Sequence, residues 1–302
     1  MGALLRGVLF AAVGLLDATM PATPATPAVL FVGNSYTYVN DVPALVGNLS
    51  LAAGLPITRA QATKGGASLF QHANSSEPNG QDTLRLLRSR VWDAVVLQDQ
   101  SETAGGGKDT DDDLPPGEGR KRSLAALQDV YAPVLKAGPT RAIFYETWGR
   151  KAGDPPNAAC CGYGTFLGMN RQTASGYREY RHELTVAGVN ASIARCGSAW
   201  EAIFMQDEPE PLRNSSVFSC LYHNRKQGAQ CLIDGLGLGG HPSLLGSYMN
   251  ACVIWASLFG RSPIGLWAPT ALNHADATLA QRVAWSVHTT AVTTFTEQLK
   301  VT

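Results

Sequence analysis

Ser35, His241 and Asp234 are three side chains whose chemistries together could cleave an ester or a related acyl bond. A hydroxyl attacks an acyl carbon only when a base with a pKa near working pH takes its proton, and that base needs an acceptor to fix its tautomer. Here the hydroxyl would be Ser35, the base His241 and the acceptor Asp234. Each also has a purely structural reading. A serine after a strand commonly caps a helix or closes a turn, and a histidine before a helix can merely hydrogen-bond there. Residue types do not choose between these readings, so the elements that position the three matter.

Ser35 lies in Val32-Gly33-Asn34-Ser35-Tyr36-Thr37-Tyr38, directly after the apolar run at 28–32 and ahead of a helical pattern at 42–53. It therefore sits where a buried parallel strand gives way to a loop, the edge at which open α/β sheets bind ligands. His241 precedes the helical pattern at 243–259, with Ser243 as a plausible N-cap, so its imidazole also projects from the end of an element. Between the two, strand-length apolar runs at 57–62, 94–97, 142–145 and 192–196 alternate with helical patterns at 42–53, 83–91, 123–136 and 171–187. A last helical pattern covers 276–299. This alternation implies a parallel sheet with helices on both faces. Residues 103–119, with their glycines, acidic run and Pro115-Pro116, interrupt it and read as a polar, solvated insertion. The acidic residues there lack the spacing of a calcium loop.

Composition narrows the partners. The 302-residue chain is 45% hydrophobic and 16% charged, with 24 basic and 24 acidic residues, so it has no global field to draw nucleic acid or an anionic membrane. Arg6 followed by the apolar stretch 7–16 resembles a secretory leader, and Pro21 to Pro27 reads as an extended linker, which together assign 1–28 to leader and linker. Six cysteines and the Asn-x-Ser sequons at Asn48, Asn74, Asn190 and Asn214 agree with a secretory route. The cysteines allow 15 complete pairings, and their spacing does not suit zinc. The segment 235–240 matches G-x-G-x-x-G, but it lacks the strands and the downstream acidic residue of a dinucleotide site. No Gly-x-Ser-x-Gly elbow of the α/β-hydrolases occurs.

Gly33-Asn34-Ser35 near the amino terminus and His241-Pro242-Ser243 near the carboxyl terminus resemble the first and last blocks of the SGNH/GDSL hydrolases. Three further segments resemble intermediate blocks: Lys64-Gly65-Gly66-Ala67-Ser68-Leu69, Val95-Val96-Leu97-Gln98-Asp99-Gln100-Ser101 and Glu146-Thr147-Trp148. The resemblance is greatest to a little-characterised branch with Gly-Asn-Ser-Tyr/Phe-Thr at the nucleophile. It implies a flavodoxin-like three-layer α/β/α sandwich with about five parallel strands, in a hydrolase domain spanning 29–302. It also implies a serine esterase acting on small acyl esters, carbohydrate O-acetyl groups among them, without metal or organic cofactor. The alternative is a catalytically inactive carbohydrate-binding relative.

Carried onto this chain, the resemblance makes Ser35 the nucleophile and His241 the base. The oxyanion donors would be the Ser35 N–H, the Gly66 N–H and an amide, for which Gln100 is preferred to Gln98. Asn34, Gln98 and Trp148 are expected beside the substrate. The pattern breaks at the acid: the family places Asp three residues before the His, where this chain has Leu238. Asp234 would have to reach His241 across the glycine-rich 235–240, or the machinery would be a Ser-His dyad.

Overall fold

The computed structural model describes residues 26–108, 113–207, 209–213, 216–222, 224–227, 230–233 and 240–299. The expected leader, most of the expected linker and Asp234 lie outside them. In chain order the elements are β1 (Ala28–Gly33), α1 (Ser35–Tyr38), α2 (Val42–Ala52), β2 (Thr58–Thr63), α3 (Leu69–His72), α4 (Pro78–Arg88), β3 (Ala94–Leu97) and α5 (Glu118–Ala126). α5 runs through a π-helical turn into α6 (Ala132–Lys136). Then come β4 (Arg141–Tyr145), α7 (Ala158–Cys161), α8 (Phe166–Val186), β5 (Ala191–Ala194), α9 (Cys196–Gln206) and α10 (Val217–Cys220). A hairpin of β6 (Asn224–Gln227) and β7 (Gln230–Ile233) precedes α11 (Leu244–Phe259) and α12 (His274–Leu299).

The main sheet is fully parallel in the order β2-β1-β3-β4-β5, the flavodoxin-like arrangement, as the alternation of runs implied. Each central strand is apolar on both faces because both are covered. On β1, Val29 and Phe31 enter one core with α2, α9, α11 and α12, while Leu30 and Val32 enter the other with α4, α5 and α8. The register sets Val32 beside Leu97 and Leu97 beside Phe144, so the carboxyl ends of β1, β3 and β4 finish together. Every candidate block except His241-Pro242-Ser243 follows one of these ends or that of β2.

Several boundaries differ from the sequence reading. α4, α5 and α8 each begin about a turn earlier than the apolar periodicity indicated. Proline fits the first turn of α4, and the Thr165 hydroxyl accepts from the Gly168 N–H at the start of α8; neither signal depends on hydrophobic spacing. α9 and the β6–β7 hairpin were missed. The insertion reading needs correction at 103–107, where four of the five residues are buried. Gly107 N donates to Glu102 O and to the Tyr163 hydroxyl, so this stretch is packed under the loop after β4. Full pairing of the cysteines also fails. Cys160 and Cys161 form a disulfide and Cys220 is disulfide-bonded, but Cys196 and Cys252 are free thiols buried in the core.

Candidate active site

The nucleophile block is a helix start. Asn34 caps α1: its Oδ1 accepts from Tyr36 N at 3.0 Å, and its Nδ2 donates to Ala67 O at 3.0 Å. Ser35 is the first residue of that helix, where a backbone N–H has no intrahelical acceptor. The cap takes the N–H of Tyr36, the residue after Ser35, and the Ser35 residue itself is half-buried. The bond to Ala67 also ties the nucleophile to the turn after β2, in which Gly66 adopts φ +70°, a conformation suited to glycine. Lys64 N donates to Gly33 O at 3.2 Å and reinforces the same junction.

His241 Nε2 lies 2.8 Å from Ser35 Oγ, although 206 residues separate the two. The segment carrying the histidine is held on both sides. Trp148 Nε1 donates to Gly240 O at 3.1 Å, and Asn40 Nδ2 donates to Pro242 O and to Ser247 Oγ. Ser243 caps α11 by accepting from Gly246 N, and its hydroxyl donates to Cys220 O at 2.6 Å. Asn40 and Asp41 both have positive φ, a strained choice that these residue types tolerate better than most. The strain sits where the nucleophile helix hands over to α2, and it is what turns the Asn40 amide toward the histidine segment.

The remaining expected residues are used differently. Gln98 is fully buried: its Oε1 accepts from Asn34 N at 2.8 Å and from Thr37 Oγ1 at 2.9 Å, and its Nε2 donates to Asp99 O. It braces the segment that bears Ser35. Asn34, 3% exposed and committed to its cap, is a brace as well. Trp148 is 0% exposed, stacked between Tyr36 at 4.7 Å and Trp200 at 4.3 Å, so it supports the histidine segment from below. Gln100 turns onto its own loop. Its Oε1 accepts from the N–H groups of Glu102 and Thr103, and its Nε2 donates to Glu102 Oε2 at 3.0 Å. Only its second amide hydrogen is left for an oxyanion. His72, the other histidine near the glycine block, is buried, with Nε2 donating to Gly33 O at 2.9 Å and Nδ1 facing Thr83 Oγ1 at 2.8 Å. Burial lowers its pKa to about 4.

Sequence reasoning missed the group beneath the site. Tyr36, next to the nucleophile, is buried and sets its ring edge-on to His241 at 5.4 Å. Its hydroxyl bonds to Arg150 and Ser101, and burial raises its pKa. A Cβ at position 240 would collide with that hydroxyl, so the glycine before the histidine is a packing requirement. Arg150 pairs with Glu102 at 2.5 Å and with Asp154 at 2.9 Å, both carboxylates fully buried. Two signals were available: an aromatic follows Ser35 directly, and an i, i+4 Arg-Asp pair stands after Trp148. Neither indicates a partner without the fold.

No protein-family model matches the chain, and comparison with curated proteins gives no match. Solved structures do match. A DUF4886 family protein from Bacteroides uniformis is 17% identical with a TM-score of 0.63, over 87% of this chain and 94% of that one. A Slackia heliotrinireducens protein assigned to the SGNH hydrolases is 21% identical with a TM-score of 0.54, over 78% of this chain and 100% of that one. The chain has the SGNH-hydrolase fold. A variant of Axe2, an acetyl-xylooligosaccharide esterase from Geobacillus, aligns at 14% identity with a TM-score of 0.50, over 80% of this chain and 97% of that one. Within the SGNH fold the carboxyl edge of the sheet, where Ser35 and His241 meet, is the topologically expected ligand site.

Proposed function

We propose that this chain is a serine esterase that cleaves small acyl esters, with carbohydrate O-acetyl groups as the favoured substrates. The observation that carries the reading is the 2.8 Å approach of His241 Nε2 to Ser35 Oγ at the carboxyl edge of the sheet. In the proposed reaction Ser35 Oγ attacks the acyl carbon as its proton passes to His241 Nε2. This requires the tautomer with hydrogen on Nδ1. The oxyanion is held by the backbone N–H groups of Ser35 and Gly66, with Gln100 supplying at most one amide hydrogen. His241 returns the proton to the leaving alcohol, giving an acyl-serine. Water, deprotonated by the same imidazole, then releases the acid and restores the hydroxyl. Asp234 is proposed as the acceptor for the Nδ1–H.

The acetyl preference draws on the acetyl-xylooligosaccharide esterase in the same fold. A secretory location is part of the proposal, supported by exposed sequon residues at Asn48, Asn74 and Asn190. The test is hydrolysis of p-nitrophenyl esters from acetyl to long acyl, by wild type and by Ser35→Ala. Wild type should favour acetyl, and the variant should lose several orders of magnitude in kcat with an unchanged melting temperature. Equal activity in both proteins would overturn the reading in favour of the inactive carbohydrate-binding alternative, with any background cleavage coming from elsewhere.

A further inference from the structure

Beside the nucleophile block lies a second concavity that the proposed chemistry does not use. A cleft of about 510 Å³ opens between the edge strand β2 and α4. That volume is within the usual range for small-ligand sites. Its walls carry Gln61, Thr63, Lys64, Asn79, Asp82 and Arg85, with the apolar Ala62, Pro78 and Leu86 between them. His72 forms part of its floor and donates to Gly33 O, the same carbonyl that receives Lys64 N. Gly33 is two residues before Ser35, and Lys64 is two residues before Gly66. The cleft and the reacting serine are thus joined through one backbone oxygen. Gly65 and Gly66 follow Lys64 of the cleft, and Tyr38, at the end of the helix that Ser35 begins, is 42% exposed. The Tyr38 hydroxyl stands 3.1 Å from where a Cβ on Gly65 would lie.

The lining decides the class of occupant. An acyl chain or sterol in this cleft would strip water from amide, hydroxyl and charged groups and return no hydrogen bonds, which is costly. A sugar ring satisfies such groups with its own hydroxyls, and an exposed aromatic at the entrance offers a face for its C–H side. We propose that the β2–α4 cleft, entered past Tyr38 and Gly65, is a subsite for the oligosaccharide that bears the ester. The acyl group then lies at Ser35 while sugar units further along the chain occupy the cleft. This rests on the esterase reading and adds that the substrate is a chain and not an isolated small ester.

The test compares wild type with a Gln61→Ala, Arg85→Ala double variant. Both side chains belong to exposed residues, and Arg85 makes only a surface pair with Asp82, so thermal melting should be unchanged. In wild type, kcat/KM on acetylated xylo- and manno-oligosaccharides should rise with chain length. In the variant that rise should fall by about tenfold or more relative to kcat/KM on p-nitrophenyl acetate, as expected for losing hydrogen bonds to charged or amide groups. Absence of any length dependence in wild type, or a rise of equal size in the variant, would overturn the subsite. Calorimetry with Ser35→Ala and the deacetylated oligosaccharides separates this from failure of the esterase reading. Binding that is lost in the triple variant supports the cleft even if no ester is cleaved, and no heat of binding contradicts it.

Discussion

At the residue scale, the account turns on which groups touch the reacting atoms and which only hold them. His241→Gln should be nearly inactive, because glutamine cannot take and return a proton near neutral pH. His72→Gln should instead lower the melting temperature, since it disturbs a buried histidine bonded to Gly33 O. If the two variants exchanged these phenotypes, the base would be misassigned. Tyr36→Phe probes the support beneath His241. Removing a hydroxyl bonded to Arg150 and Ser101 should cost about 1–3 kcal/mol in denaturant unfolding and lower kcat more than it raises KM. Asp234→Asn should present the wrong partner to the Nδ1–H and cost about 10⁴ in kcat, the size seen in one well-studied triad. A change below tenfold would leave Ser35 and His241 as the machinery.

The residue scale also marks where the sequence was legible. The meeting of Ser35 and His241 could be anticipated because side chains able to do chemistry at an element's edge follow from residue type and hydrophobic pattern together, whereas Gly66 was indicated only by the family resemblance. Gln98 and Trp148 were marked but misread. A glutamine after a strand offers the same amide to an oxyanion as to a neighbouring backbone, and only the packing of Asn34 and Thr37 against it commits it. The Tyr36–Arg150 contact was invisible because neither a tyrosine after Ser35 nor an arginine after Trp148 carries any sign of a buried partner.

At the scale of elements, the parallel strands were legible because each is an uninterrupted apolar run, buried on both faces. The β6–β7 hairpin was not, since Asn224–Gln227 is wholly polar and forms a strand only by pairing with Gln230–Ile233. The junction of β4 and α9 gives a pH prediction. The Glu146 side chain, at the end of β4, accepts from Ser198 N at 3.0 Å, and burial raises its pKa to about 7 from an ordinary 4.5. Asp99, after β3, is likewise raised by burial, to about 6. The folded state therefore holds more protons than the unfolded one between the two sets of values. These groups contribute stability that is complete below the unfolded pKa and is lost as pH rises through about 6 to 7. Buried His72, its pKa held at about 4, works in the opposite sense, so the expected result is a difference: between about pH 5 and about pH 8 the wild-type urea midpoint should fall relative to that of Glu146→Gln, by the order of a few kcal/mol. A midpoint that rises over this interval in wild type and is unaffected by the variant would contradict the burial argument.

At the scale of the whole molecule, two distant segments are brought together by a sheet order that places β1 inside the sheet, between β2 and β3. The segment bearing His241 then closes over β1 because α11 packs against α2, the helix that follows the nucleophile. Trp148, Tyr36 and Asn40 fix its position from three directions. The consequence is a preformed pair at a half-buried, accessible edge, which should react with an electrophile without any prior rearrangement. The most direct measurement is covalent labelling with a fluorophosphonate followed by peptide mapping. The account predicts a single dominant adduct on Ser35, absent in Ser35→Ala and strongly slowed in His241→Gln. A dominant adduct on another residue, or labelling of Ser35 at the same rate without His241, would contradict it.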